Sequence, residues 1–354
     1  MLQELWPEIT LKFFFKKFGY FIQISYFCII EPAKPLAFKA MRNWRVIFYR
    51  HPTSSMAKVS YTKNPISINR QIDLLEEKGM IFCSKLKALR LLSIIGYYRF
   101  SGYAYSFRNR LDNSSFMEGT SFEQVYSIYE FDRNLKLILF KQLAKIEIAF
   151  RTLIINEFSL GTESIFWFAE LANFSDEEEH TKFLAKLKEE IDNSQEDFIF
   201  HFKKTYSDTY PPSWIALQLI SFGALVKLYR NFKNVELANN VARAFGCEST
   251  ERFISWINTL VYLRNICGHH SRLWNLSIKK RPLAYHFGNK SKKWDNQTIY
   301  YSVCVVAYLL HSIYPENDFK DDLIHLFHSN TYVNKVKEKY LGFPKEWEKD
   351  IVWK

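Results

Sequence analysis

The sequence predicts an all-α chain, and three observations carry that reading. Glycine and proline are sparse, 11 and 10 in 354 residues, which disfavours a sandwich or barrel built on tight turns. From residue 66 onward apolar residues recur at threes and fours. The longest such block, 121–159, sets Val125, Ile128, Leu135, Leu139, Leu143, Ile146, Phe150 and Leu153 on one periodic face, which predicts a single long helix with room to bend.

Taken in order, residues 1–55 read as an N-terminal extension, poorly ordered, contributing at most an accessory helical or irregular region. The run "LKFFFKKFGYFIQISYFCII" (11–30) is apolar but broken by Lys16 and Lys17, and its uninterrupted part is too short to span a bilayer. A basic start before an apolar run faintly suggests a signal peptide, but "EPAKPLAFKAM" offers only a poor cleavage site. The alternative role for this segment is a membrane-surface anchor. Met56 opens a stretch that reads as the start of a single helical domain, 56–354. Ser67 is a good N-cap, with Ile68, Ile72 and Leu75 sharing a face behind it. "SKLKALRLLSII" follows and ends at Gly96. Residues 96–110 hold six aromatics and three arginines in near alternation, which predicts irregular or strand-like structure. After the long block, helices are expected at about 178–202, 213–233, 235–245, 249–274 and 297–314, with a short pair near 318–339. "YPPSW" (210–214) marks a sharp helix entry, since proline suits a first turn.

The net charge of +11 favours a polyanionic partner, nucleic acid or an anionic membrane surface. Five cysteines, Cys28, Cys83, Cys247, Cys267 and Cys304, are odd in number, scattered and without a C-x-x-C. They fit free thiols in a reducing cytoplasm rather than a disulfide framework, so a cytoplasmic location is expected.

Phosphate loops, dinucleotide fingerprints, H-E-x-x-H and paired C-x-x-C motifs are all missing from the sequence, so neither a cofactor nor a metal is expected. "EEEH" (177–180) is better explained as a solvated helix start than as a ligand set. The stretch "YLRNICGHHSRLWN" (261–274) stands apart, because it loads ionisable groups onto what otherwise reads as a core helix. At about 100° per residue Asn265 and His269 face the same way, Arg264 can swing toward them, and His270 points elsewhere. An imidazole moves protons near neutrality, an arginine fork binds phosphate, and an asparagine can orient either. Those are the needs of RNA cleavage by attack of a 2′-hydroxyl on its own phosphate. The spacing alone is weak: Arg45 with His51 and Arg281 with His286 match it too, the first in the extension and the second interrupted by Pro282. A structural polar cluster is the competing explanation. Glu147 and Arg151, four apart, can form a helix-stabilising or buried pair and are candidates for supporting the site, as is His270. Tyr97, Tyr98, Arg99 and Tyr103 can stack on and clamp RNA bases, or can belong to the core.

From about 64 to 282 the chain resembles the Abi family of bacterial abortive-infection proteins, in its AbiD/AbiF-like group. The matching stretches are "INRQIDLL", "IGYYRFSGYAYSFR", "YEFDRNLKLILFKQLAKIEIAFRT", "PPSWIALQLISFGALVKLYRN" and "LVYLRNICGHHSRLWN". The resemblance implies a HEPN-like helical bundle, with its core at about 121–282. It also implies a nuclease motif, R-x4-6-H with Asn after the Arg, whose positions here are Arg264, Asn265 and His269. Gly268 stands where the family leads one to expect alanine. The activity implied is a metal-independent endoribonuclease of phage defence, and the single motif copy implies a homodimer that pairs two of them. A small RNA or a protein antitoxin is a further expected partner, and no integral membrane segment is expected. The competing functions are a non-catalytic RNA-binding protein and a protein-interaction adaptor.

Overall fold

The computed structural model describes residues 11–13, 22–24, 60, 64–109, 114–290 and 292–354. The chain divides into two units, Met1–Pro65 and Ile66–Lys354. In the first unit, strands β1 (Leu11–Phe13) and β2 (Ile22–Ile24) pair antiparallel, with Lys12 opposite Gln23. These six residues depart from the expected helical or irregular region, in keeping with the strand preference of phenylalanine and isoleucine. The rest of the expected 1–55 extension, including Cys28, Arg45 and His51, lies outside the described residues.

The second unit is all-α among the described residues. It opens with α1 (Ile68–Glu77) and α2 (Lys85–Ile95), each started by a serine, Ser67 and Ser84, whose hydroxyl accepts a backbone N–H three residues on. α3 (Tyr97–Ala104) follows and runs on into a 3₁₀ turn at Tyr105–Phe107. This corrects the strand-like expectation for 96–110. Phe100, Tyr103 and Phe107 are spaced by three and four and are buried on one face, while Tyr98 and Tyr105 stand on the other. Aromatics on both faces of one helix imitate the alternation of a strand.

The unit is built around α4 (Phe122–Thr162), a helix of 41 residues, about 60 Å long. Its buried positions Phe131, Leu135, Leu139, Ile146, Phe150 and Ile154 keep helical spacing throughout. Next come α5 (Glu177–Asn193), α6 (Asp197–Thr205), α7 (Ser213–Ala216), α8 (Phe222–Asn231), α9 (Val235–Ala244) and α10 (Thr250–Gly268). The chain closes with α11 (Ile299–Ile313), α12 (Phe319–Ser329) and α13 (Thr331–Leu341). α3, α9, α10, α11 and α12 all pack on α4.

Two expected helices are in fact pairs. The 178–202 helix breaks at Ser194–Glu196, where the backbone is extended. The 213–233 helix breaks at 217–221, where Ser221 turns extended and caps α8. The carbonyls freed at that second break do not go unpaired: the buried Arg151 of α4 donates Nη1 to the oxygens of both Leu217 and Ile220. No helix among the described residues is long and apolar enough to cross a membrane.

Candidate nuclease site at the end of α10

α10 starts on Ser249, whose hydroxyl accepts from Arg252 N at 3.2 Å. It ends four residues after Arg264, short of the expected 274. The stop is a Schellman turn: His270 N donates to Cys267 O at 3.2 Å and Ser271 N to Ile266 O at 2.9 Å. His269 is the C-cap, its N–H on Asn265 O at 2.9 Å. His270 occupies the left-handed position at φ +55°, where glycine is usual. Both imidazoles are therefore carried by an exposed turn rather than by a packed helix. Gly268 faces Phe140 of α4, and an added Cβ would lie 3.6 Å from that ring, an ordinary contact. The alanine expected there would fit.

Arg264 is held from α4. Its Nε lies 3.6 Å from Glu147 Oε2, and the other oxygen of Glu147 meets Arg151 Nη2 at 3.2 Å. The Glu147–Arg151 pair thus does two jobs: Arg151, whose pKa burial lowers, satisfies the α7–α8 break, and Glu147 ties Arg264 to that anchor. Cys267, beside the motif, is buried and its thiol is pushed up to about 12 by that burial, so it remains a protonated, unreactive thiol.

A cleft of about 560 Å³ opens between α3 and the turn after α10. His269, His270 and Arg272 line one wall, with Tyr98, Arg99, Tyr105 and Arg108 on the other. Arg264 and Asn265 do not line it. Of the aromatic cluster, Tyr98 and Arg99 face the cleft; Tyr97 packs against the core, and Tyr103 contributes to the wall while being buried. A second cavity of about 350 Å³, beside α2, α4 and α12, contains none of the motif residues. "EEEH" forms the first turn of α5, with Asp176 as N-cap and His180 buried against Phe168 O at 2.8 Å. Among the described residues no group of three His, Cys, Asp or Glu side chains could hold a metal ion.

One residue under the cleft was not anticipated. Asp132 of α4 is fully buried, and each of its oxygens has two partners. Oδ1 accepts from the backbone N–H of Leu273 at 3.1 Å and of Trp274 at 2.7 Å. Oδ2 accepts from the Tyr103 hydroxyl at 2.7 Å and pairs with Lys136 Nζ at 3.0 Å. Lys136 in turn donates to Ser271 O at 3.2 Å. Burial, reinforced by the Asp132 charge, raises the Tyr103 pKa and keeps that phenol a donor. The network fixes the chain directly after His270 onto α4 and α3. A signal for it existed: Asp132 and Lys136 are charged residues, four apart, on the otherwise apolar face of the longest helix.

Two outcomes follow. Asp132→Ala leaves Lys136 buried without its acid and two amides without an acceptor, and is expected to cost about 3–5 kcal/mol in urea unfolding. A cost below about 1 kcal/mol would contradict the anchoring role. His270→Gly relieves the left-handed strain and is expected to keep or raise stability, by up to about 1 kcal/mol; a comparable loss would mean that the imidazole itself holds the turn.

With this geometry in hand, comparison with known proteins gives one result. Neither curated proteins nor solved structures return a match. The family described as Abi-like protein matches residues 90–275, more than half of the chain. The matched span runs from α2 to Asn275, just past the Asp132 anchor point, and so takes in Glu147, the α10 turn and both walls of the cleft. The chain belongs to the Abi-like protein family, a membership that points to abortive-infection defence against phage.

Proposed function

We propose that this Abi-like protein is an endoribonuclease that cuts RNA by attack of a 2′-hydroxyl on the adjacent phosphate, without a metal. The observation that carries the reading is the end of α10, where an exposed, strained turn presents two imidazoles beside an arginine-lined cleft. In the reaction an imidazole takes the 2′-hydroxyl proton, the 2′-oxygen bonds to phosphorus, and the bond to the 5′-oxygen breaks. The leaving oxygen takes a proton, and a 2′,3′-cyclic phosphate remains. His269 is the proton carrier. Arg264, steadied by Glu147, meets the charge that builds on the phosphate, and Asn265 orients it.

One chain supplies one His269, while the reaction needs a proton taken and a proton given. A two-fold dimer would bring a second copy to the same phosphate. α4 has a face suited to such contact: Leu137 (63 % exposed), Phe140 and Ile148 (62 %) fall on one side of the helix, and Phe140 borders Gly268 at the end of α10. RNA is thus the substrate and a second copy of the chain the partner.

A second reading, RNA binding without cleavage, is favoured by one fact: Arg264 pairs with Glu147 and does not line the cleft that holds His269. Cleavage assays separate the two. His269→Ala is expected to lower the cleavage rate by about 10²–10⁴-fold with unchanged circular dichroism. Arg264→Ala falls comparably, and Arg264→Lys recovers little, since lysine lacks the fork. Full cleavage by both alanine variants would refute the assigned roles; RNA bound but never cut by the wild type would establish the second reading.

A further inference from the structure

The cleft has features that cleavage at the end of α10 does not by itself require. Tyr98 is 92 % exposed, so its ring buries almost nothing in the fold and its presence is not explained by stability. It stands at the rim of the cleft, and Tyr105, also exposed, stands on the same wall. No carboxylate is among the described lining residues, whereas Arg99, Arg108 and Arg272 all are.

Two of these arginines are held in place by reciprocal bonds. Arg99 of α3 donates Nη1 to His270 O in the turn at 2.6 Å, and Arg272 of the turn donates Nη1 to Gly102 O in α3. Each bond uses one of the five N–H groups of a guanidinium and leaves the others for a ligand. Among the described residues neither arginine belongs to an ion pair, in contrast to Arg151 of α4 and Arg264 of α10, which both pair with Glu147. Two fixed guanidiniums without a carboxylate partner, beside an unpacked aromatic ring, form a receptor for a phosphate next to a flat apolar group.

We infer that this cleft is a subsite for a single unpaired nucleotide of the RNA strand, with its base stacked on Tyr98 and its phosphate held by Arg99 and Arg272. The volume, about 560 Å³, lies within the range of pockets that enclose a ligand of that size. The base must be unpaired, because a double helix hides the faces of its bases and only a single strand can offer one to a ring. His269 and His270 line the same cleft, so the captured nucleotide lies beside the turn that carries the proton chemistry. The identity of the polymer rests on the ribonuclease reading; the stacking and phosphate contacts rest on the cleft alone.

The test uses the full chain carrying His269→Ala, so that binding is measured without cutting. The probe is a short single-stranded RNA with one 2-aminopurine, titrated by fluorescence between about 50 and 200 mM salt. Binding is expected to quench the 2-aminopurine. Tyr98→Ala is expected to weaken binding by about 5- to 150-fold, abolish the quench and leave the salt slope unchanged, while Tyr98→Phe retains both affinity and quench. Arg99→Gln is expected to lower the salt slope by about 0.7, the share of one phosphate on a single strand, with Arg99→Lys restoring it. Equal affinity for the matching duplex, or Tyr98→Ala binding as tightly as its parent, would overturn the subsite. Loss of binding to RNA with retained binding to anionic vesicles would also overturn it. A wild type that never cuts RNA, combined with Tyr98-dependent quenching, would sink the ribonuclease reading and leave the subsite standing. Efficient cutting with no dependence of binding on Tyr98 would do the reverse.

Discussion

A carboxylate taken fully out of water persists only where its lone pairs are filled, and Asp132 fills them from three separate parts of the chain. The Tyr103 hydroxyl comes from α3, Lys136 from the next turn of α4, and two backbone amides from the segment after α10. None of these could shift alone without stranding a buried charge or an unpaired donor. The arrangement therefore sets where α10 must end relative to α3, and with it the width of the cleft between them. The reciprocal arginine bonds, Arg99 to His270 O and Arg272 to Gly102 O, lie above this anchor and bridge the same two elements. Where the imidazoles stand is decided by a buried residue that does not itself line the cleft.

A parallel arrangement operates one helix turn earlier. Glu147 receives Arg151 on one oxygen and Arg264 on the other. Arg151 in turn is fixed by two carbonyls at the α7–α8 break. The motif arginine is thus referenced to the core through a chain of charge-assisted contacts, while the motif histidine is referenced to it through the backbone turn. The two motif side chains are positioned by different anchors on the same long helix. Near those anchors α4 leaves Leu137, Phe140 and Ile148 in water, the apolar face that the proposed second copy of the chain would cover.

Much of this was legible in the sequence, and the losses have physical reasons. The long helix, the serine cap at Ser67 and the helical entry after "YPPSW" followed from spacing and capping chemistry. So did the Glu147–Arg151 pair, since residues four apart on a helix must meet. The aromatic α3 was lost because its buried and exposed rings alternate in a way that a strand would share. The breaks at 194–196 and 217–221 were lost because their stabilisation is tertiary: at the second, an arginine some 70 residues away in sequence receives the freed carbonyls. The early stop of α10 was lost because the left-handed position holds His270 rather than glycine. Of the candidate site, the motif residues could be singled out, but the company they keep could not. Arg272, Arg108 and Tyr105 join the cleft only through folding, and the charges of Asp132 and Lys136 on the apolar face of α4 gave a signal for the anchor but not for the amides it would meet.

If an imidazole drives a 2′-hydroxyl onto its neighbouring phosphate, as proposed, the ends of the RNA products report it directly. Wild-type protein incubated with single-stranded RNA in excess EDTA, with the products resolved by mass, is predicted to yield 2′,3′-cyclic phosphate and 5′-hydroxyl ends. Products ending in a 3′-hydroxyl, or cleavage that appears only when magnesium is restored, would contradict the account.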